Sequence, residues 1–389
     1  MSAQTSPEKS LLDLSREITP LLASRSREIE TARRLPQDLA HLLAAEGFFS
    51  MWIPRALGGQ GVPLVQSLQA LEILAEADPS VAWCISIGIS STLVLPHLPA
   101  ETAQQIFERP ETIICGVYAP RGRADADGSD HFRVSGQWAF GSGTQNADWI
   151  LAGCRFFEKG QAMQAQGGQP RTHMVVVPRD EVEFLDTWHT SGMRGTGSTD
   201  YRLDDVRVSN RFIAGWTPQA LPDEPLYRIP QLTLLAVGFG AIALGIARGA
   251  LNEFQKLASS KTATGQSQRL DERRDVQGEV ARAEVKLRAA RSHYYETAES
   301  LWEAAEHDRV GLEERSALRL SMLHAVAVGA EVCSVAYQLG GASAIYEDSR
   351  LQRLFRDSHV ITQHVQVRSD LYSVIGSHLM GKPKTTEVL

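Results

Sequence analysis

The residues best suited to chemistry lie in a short segment rich in glycine, serine and tryptophan. Val134–Gly143 reads Val-Ser-Gly-Gln-Trp-Ala-Phe-Gly-Ser-Gly, and the apolar run Ile150–Gly153 follows soon after it. The pattern predicts a strand, a turn and a second strand. Glycines let a backbone approach a flat ligand, small hydroxyls bond its heteroatoms, and tryptophan offers a stacking surface. The segment suits a planar ring such as isoalloxazine, and an ordinary hairpin with a glycine turn is the alternative.

The composition indicates a soluble globular protein. The chain has 389 residues, of which 43% are hydrophobic and 22% charged, enough for two or three structural units. A net charge of -7 argues against a nucleic-acid surface. The low-charge stretch Ile229–Ala247 contains small residues and fits a buried bundle helix better than a membrane span. We therefore expect no nucleic-acid partner and no membrane partner.

The four cysteines are widely separated and include no CxxC pair. This spacing argues against a zinc site or a disulfide framework, so no metal is predicted. Reduced, buried thiols are the simplest account of these cysteines. No basic segment followed by an apolar core is visible near the N-terminus, and we predict a cytoplasmic protein.

The predicted secondary structure changes along the chain, and these regions must position the segment Val134–Gly143. Residues 1–112 show helical patterns, and residues 113–220 contain short β-rich runs separated by turns. Residues 221–389 return to helical periodicity in long stretches with short connections. The predicted fold class is α+β, with an N-terminal helical domain, a central β-barrel or sandwich domain and a C-terminal four-helix bundle.

Several local sequences, in this three-part order, resemble the acyl-CoA dehydrogenase superfamily over nearly the whole chain. Pro54–Gly61 is similar to the family's early Pro-x-x-x-Gly-Gly loop. Tyr337-Gln-Leu-Gly-Gly341 and Leu354-Phe-Arg-Asp357 are similar to its cofactor-contacting turn and to the Arg-Asp that opens its last long helix. The resemblance implies an acyl-CoA dehydrogenase-like fold.

A narrower resemblance points to the oxygenase components of two-component flavin monooxygenases. This branch includes relatives of 4-hydroxyphenylacetate hydroxylase and dibenzothiophene monooxygenase. The segments that carry it are Tyr118–Ala124, Ser135–Gly143, Trp188–Asp200 and Arg356–His364. It implies reduced FMN or FAD as cofactor, O2 as co-substrate, a C4a-hydroperoxyflavin and a small aromatic or heteroaromatic substrate.

An acyl-CoA dehydrogenase or related flavin oxidase is the first alternative. Dehydrogenases of the family remove an α-proton with a glutamate. By resemblance, the corresponding positions in this chain are His364 and Val365. Other members place that glutamate on the first bundle helix, yet no Asp or Glu occurs between Pro225 and Asn252. Because valine cannot accept a proton, the pattern favours oxygen chemistry.

The resemblance also implies roles for individual residues. His364 is the candidate catalytic residue, because an imidazole can donate or accept a hydrogen bond near neutral pH. His359 precedes it on what the pattern predicts to be the same helix, and the two rings should then point about 140° apart. The expected flavin-binding residues are Tyr118, Ala119, Trp138, Ser142, Arg194, Ser198, Lys261, Gln338 and Gly341, and those expected at the substrate are Trp83, Ser91 and Phe140.

The chain carries no GxGxxG fingerprint after a strand and no Walker loop. A separate flavin reductase is therefore expected to deliver the reduced flavin. A homotetramer is expected because relatives complete the flavin site with a neighbouring bundle, in which Lys261 would reach the partner's flavin. A non-catalytic relative that acts as a binding protein is the second alternative. The substrate, the oxygenated atom and the choice between FMN and FAD stay open.

Overall fold

The computed structural model describes residues 9–165, 167–262 and 265–382. Within these residues, five α-helices come first: α1 Leu11–Ala32, α2 Gln37–Ala45, α3 Leu64–Ala77, α4 Pro79–Ser91 and α5 Ala100–Ile106. Eight strands follow: β1 Ile114–Ala126, β2 His131–Trp138, β3 Trp149–Glu158, β4 Gln161–Ala162, β5 Thr172–Pro178, β6 Glu183–Leu185, β7 Asp200–Ser209 and β8 Ile213–Ala214. Six helices complete it: α6 Pro225–Arg228, α7 Gln231–Ala258, α8 Arg274–Glu306, α9 Leu312–Gly340, α10 Arg350–Ile361 and α11 Asp370–Leu379.

The strands form one mixed sheet in the order β6-β7-β2-β1-β3-β5-β8, with β4 paired to β3. Strands β1 and β3 run parallel, and the other paired strands are antiparallel. The end strands β6 and β8 have no ladder between them in the described part of the chain, so the sheet is open rather than a closed barrel. The predicted α+β class and the helix–sheet–helix order are confirmed.

Helix α4 begins at a strong local signal. The Asp78 side chain accepts hydrogen bonds from the backbone N–H groups of Ser80 and Val81, at 3.0 and 3.2 Å, and Pro79 occupies the first helical turn. Both features favour helix initiation at this position. The cap fixes the start of the helix that carries Trp83 and the serines of the site described below.

Small residues on α7 let its neighbours approach closely. A Cβ on Gly240 would lie 2.5 Å from the Tyr294 ring, and one on Gly245 would lie 2.3 Å from the Glu72 carbonyl oxygen.

Among the residues that the structure describes, three helical stretches are long and apolar enough to span a membrane by length and composition, namely Pro79–His97, Gln231–Ala258 and Leu312–Ala344. Their most apolar windows are 94%, 89% and 61% buried inside the fold, which accounts for their hydropathy by core packing.

The C-terminal region departs from the prediction that His359 and His364 share one helix. Helix α10 ends at Ile361, a short 3-10 turn covers Val365–Val367, and α11 starts at Asp370. Branched side chains at Val360, Ile361 and Thr362 lower helix propensity, and the Thr362 hydroxyl donates to the His359 carbonyl at 2.6 Å. His364 therefore lies in a turn, so its expected 140° relation to His359 on one helix does not apply.

Candidate active site

A cavity of about 770 Å³ lies where the sheet meets the helices. Its walls come from α4, from the β1 segment near Tyr118, from the turn after β2, from the loop before β7, from α7 and from the turn after α10. The apolar part includes Trp83 and Phe239, whose rings stack with centroids 4.7 Å apart. This volume and this mixture of aromatic and small polar side chains are typical of a small-molecule site.

Four side chains in the cavity wall form a continuous hydrogen-bonded chain. The Trp83 Nε1–H donates to the Ser142 hydroxyl at 3.0 Å, and Ser142 and Ser198 lie 2.6 Å apart. Ser198 and Thr196 are also separated by 2.6 Å, and the Thr196 hydroxyl donates to the Met193 carbonyl at 2.8 Å. We call Trp83, Ser142, Ser198 and Thr196 the hydroxyl chain. It joins α4 to two loops more than 50 residues away in sequence.

The hydroxyl chain has a fixed direction. Because Thr196 gives its hydrogen to a carbonyl, it must accept from Ser198, and Ser198 must in turn accept from Ser142. The Trp83 indole can only donate, which agrees with this order. Each hydroxyl keeps one free lone pair and no free hydrogen, so this wall of the cavity can accept hydrogen bonds from a ligand but cannot donate any.

His364 lies on the same cavity, in contact with the aromatic wall. Its ring centroid is 4.5 Å from that of Phe239 and 5.5 Å from that of Trp83, edge-on to both. Burial, reinforced by the nearby Arg319 guanidinium, lowers the pKa of His364 to about 4. Its Nδ1 accepts the Gln366 backbone N–H at 3.2 Å. The neutral ring therefore carries its hydrogen on Nε2 and is a hydrogen-bond donor there.

This pKa shift predicts a pH dependence of stability. An unfolded histidine titrates near pH 6.5, so between about pH 6.5 and 4 the unfolded chain binds a proton that the folded protein excludes. The free energy of unfolding must fall as pH drops through this window. Between pH 7.5 and 5.0 we expect wild type to lose ~1–2 kcal/mol more than His364→Gln, measured by urea denaturation. Equal losses would contradict a depressed pKa at His364.

The predicted substrate residues lie on this cavity. Trp83 is buried, and the Ser91 hydroxyl donates to the Ile87 carbonyl of its own helix at 2.8 Å. Phe140 is 72% exposed, adopts a φ of 65° and meets the Trp188 ring edge-on at 6.3 Å. All of these residues line the cavity, and their contact with a substrate stays a prediction.

A bulge in β1 brings Tyr118 and Ala119 to the cavity. Val117 pairs with Ala152 and Gly122 with Cys154, so residues 118–121 lie opposite the single residue Gly153. A Cβ on Gly153 would lie 2.4 Å from the Tyr118 carbonyl oxygen and 2.6 Å from that of Ala119. The glycine thus makes room for the bulge, and bulges of this kind redirect side chains at functional sites.

Gly153→Ala is expected to lower the free energy of unfolding by about 2 kcal/mol, because the new methyl group displaces the bulge. Gly376→Ala is the matched control: nothing lies within 4 Å of its added Cβ, and alanine favours the helix there. Urea denaturation of both variants checks the result. A Gly153→Ala protein as stable as wild type would show that the bulge does not depend on close contact at this position.

The prediction that Trp138 binds the flavin requires a correction, because the structure places this residue away from the cavity. Its side chain is fully buried, its Nε1–H donates to the Gly153 carbonyl at 2.9 Å, and its ring stacks on Tyr201 with centroids 5.4 Å apart. The strand alternates, with Phe132, Val134 and Trp138 directed inward. Trp138 therefore packs in the core of the sheet domain and cannot stack on a ring bound in this cavity.

Other predicted flavin-binding residues lie outside the cavity of this single chain. The Lys261 Nζ donates to the Gly340 carbonyl at 2.7 Å, beside Gly341, and Gln338 is exposed on α9. Arg194 begins the turn that contains Thr196, and its buried Nε has no hydrogen-bond partner among the described residues. Lys261 and Gly341 thus come together, but away from His364 and the hydroxyl chain, and the contacts of all four with a flavin stay predictions.

Two residues of α10 hold the loop that carries Thr196 and Ser198. The buried Asp357 carboxylate accepts the Met193 backbone N–H at 2.5 Å, and Arg356 donates to the Ser191 carbonyl. Burial raises the pKa of Asp357 to about 7. Helix α10 therefore positions both this loop and His364. The Arg-Asp pair was noted in the sequence, but its anchoring contacts and the roles of Thr196 and Phe239 were not predicted.

Comparison with known proteins connects this geometry to a family. Residues 14–105 match the family model described as "Acyl-CoA dehydrogenase, N-terminal domain", and residues 237–369 match "Acyl-CoA dehydrogenase, C-terminal domain". An indole-3-acetate monooxygenase from Pseudomonas putida is 32% identical over 364 residues, which cover 92% of this chain and 90% of that protein.

Two further proteins that are similar to this chain carry names that state a cofactor. The oxygenase component of an FADH2-dependent resorcinol hydroxylase from Rhizobium sp. is 28% identical, with 98% of this chain and 97% of that protein covered. The structure of XiaF from Streptomyces sp. in complex with FADH2 and glycerol superposes with a TM-score of 0.87 at 23% identity, covering 97% of this chain and 96% of XiaF. The superposition shows a shared fold.

Proposed function

The chain belongs to the acyl-CoA dehydrogenase superfamily and to its branch of flavin-dependent monooxygenases, and on that premise we propose its reaction. It is the oxygenase component of a two-component monooxygenase that uses reduced FMN or FAD and O2 to oxygenate a small aromatic or heteroaromatic compound. The observation that carries this proposal is the cavity between sheet and helices, in which a neutral His364 faces aromatic walls and the hydroxyl chain.

The described residues of the cavity fit a flavin. The stacked Trp83 and Phe239 supply flat apolar surface, the bulge exposes backbone at Tyr118 and Ala119, and the hydroxyl chain offers free lone pairs. Ser142, Ser198, Tyr118 and Ala119 would hold the ring. When bound, reduced flavin supplies the electrons that activate O2.

The protein's own contribution is a dry site with one well-placed donor. The Trp83 and Phe239 rings contact His364 and give the space beside it apolar walls, which would favour the exclusion of water once a ligand fills the cavity. The His364 Nε2–H can donate a hydrogen bond to activated oxygen without carrying a charge. A neutral donor is suited to this task because it stabilises developing negative charge and does not release a proton prematurely.

The dehydrogenase alternative lacks its base. Among the described residues that line the cavity there is no aspartate or glutamate, and the wall includes His364 and Val365, the two positions that the sequence resemblance assigns to the dehydrogenase glutamate. A histidine with a pKa near 4 is a weak base for removing an α-proton. This chemistry favours oxygenation over α,β-dehydrogenation.

The test mixes the protein with photoreduced FMN or FAD under anaerobic conditions and then adds oxygen and an aromatic probe. Indole-3-acetate, resorcinol and p-hydroxyphenylacetate are suitable probes, because proteins similar to this chain are named for these compounds. We expect tight binding of reduced flavin, slower re-oxidation than in free solution and an oxygenated product. Absence of flavin binding would favour a non-catalytic relative, and reduction of a dye by acyl-CoA would favour a dehydrogenase.

Under this proposal, a separate protein must supply the reduced flavin. Names of relatives specify an oxygenase component, which implies a separate reductase. NADH should therefore be consumed only when a flavin reductase is added to the assay. A cytoplasmic location belongs to the same proposal, supported by four free, buried cysteines.

We also propose that the active assembly is a homotetramer. Lys261, Gly341 and Gln338 lie together at one end of α7 and α9, away from the cavity of their own chain. A second copy would be needed to bring them to a flavin. Light scattering coupled to size-exclusion chromatography tests the mass, and a monomer that binds flavin with full affinity would refute this arrangement.

A further inference from the structure

Arg121 occupies the end of the β1 bulge and lines the cavity with its side chain exposed. It makes no hydrogen bond or salt bridge within the described part of the chain. Its neighbour Arg123 differs: that guanidinium pairs with Asp125 at 2.6 Å and stacks 3.7 Å above the Phe157 ring. The two arginines share a strand and exposure, but only Arg121 is without a partner and on the cavity.

The charge balance of the cavity makes Arg121 distinctive. No aspartate or glutamate is found among the lining residues that the structure describes, and His364 is neutral above about pH 4. Arg121 is therefore the one permanently charged side chain among them. A cavity of this kind has a positive rim and neutral walls, which favours a ligand with an anionic end.

The hydroxyl chain strengthens this argument. Because its hydrogens are all committed, Ser142, Ser198 and Thr196 cannot donate to an anion. An oxyanion in the cavity must find its donors elsewhere, and a guanidinium offers paired N–H groups that match a carboxylate or phosphate. The bulge that Gly153 permits is what carries Arg121 to the rim.

We propose that Arg121 binds an oxyanion carried by a ligand of this cavity. This inference rests on the proposed function and names a subsite within it. Two sources share the chemistry, namely the carboxylate of an aromatic acid substrate and the phosphate of the flavin. In either case the aromatic part of the ligand lies along the Trp83 wall and its anionic end meets Arg121.

The experiment measures binding rather than turnover, with Arg121→Gln and the matched control Arg123→Gln. In one arm, calorimetry compares indole-3-acetate with the neutral indole-3-acetamide. In the other, anaerobic titration compares reduced FMN with reduced riboflavin, which lacks the phosphate. Loss of a charge-assisted pair should weaken binding of the anionic member by about 10- to 100-fold and leave the neutral member unchanged.

The outcomes separate the sources. A loss confined to indole-3-acetate assigns the carboxylate, and a loss confined to FMN assigns the phosphate. Unchanged preferences in Arg121→Gln, equal weakening of the charged and neutral members, or equal losses in Arg123→Gln would overturn the proposal. Failure of the wild-type protein to bind any reduced flavin would instead refute the proposed function, so the two failures are distinguishable.

Discussion

Replacing His364 with alanine is expected to lower product formation at least about 100-fold while reduced-flavin affinity changes little. The Nε2–H is a preorganised donor in an apolar setting, with Nδ1 held by the Gln366 backbone N–H and the ring enclosed by Trp83 and Phe239. Without this donor, we expect a larger share of the O2 to be reduced to hydrogen peroxide by the two electrons of the reduced flavin, with no oxygen transferred to the substrate. The measurement is the ratio of product to peroxide formed per reduced flavin consumed.

Two further variants make this result interpretable. His359→Ala is the matched control, because that ring contacts Ser334 and Phe355 and is not part of the cavity wall. It should retain the wild-type ratio. His364→Gln keeps an N–H donor of similar reach and should lose only about 10-fold. An unchanged ratio in His364→Ala would remove this residue from the proposed role.

Much of the fold could be predicted because its signals are local. The proline in Asp78-Pro79 predicts the boundary between two helices, and the small residues of Ile229–Ala247 predict a closely packed helix rather than a membrane span. The end of the helix at Ile361 is not predicted, because the helical pattern of the flanking residues is stronger than the signal from three β-branched residues. The alternation of Phe132, Val134 and Trp138 is also local and could have placed Trp138 in the core.

The site could be predicted only in part, because its decisive contacts join distant segments. His364 was identified through a family resemblance, yet its neutral state depends on burial and on Arg319. The direction of the hydroxyl chain depends on a carbonyl at Met193 and on serines from two loops. The bulge at Arg121 follows from the register between β1 and β3, which no single segment specifies.

The direction of the hydroxyl chain predicts which redox form of flavin the protein prefers. Reduced flavin carries a ring N–H where oxidised flavin has a lone pair. A wall that only accepts hydrogen bonds is complementary to the reduced form and places lone pairs against the oxidised one. Ser142→Ala removes one acceptor, so we expect reduced-flavin affinity to fall about 10-fold and oxidised-flavin affinity to change less.

Thr196→Val tests direction rather than acceptor number. Without the Thr196 hydroxyl, the hydroxyl chain no longer donates to the Met193 carbonyl. The Ser198 hydroxyl also loses its acceptor, so it can donate a hydrogen bond to a ligand instead. The preference for reduced flavin should shrink mainly because oxidised flavin binds more tightly, in contrast to Ser142→Ala. Ser90→Ala is the control, because its hydroxyl lines the cavity but donates to the Ile87 carbonyl at 3.0 Å. Titration with both redox forms, alongside the midpoint potential of the bound flavin, decides the matter. If Ser142→Ala and Thr196→Val each change the affinities for reduced and oxidised flavin equally, the hydroxyl chain has no fixed hydrogen-bond direction. It would then contribute only to the shape of the cavity.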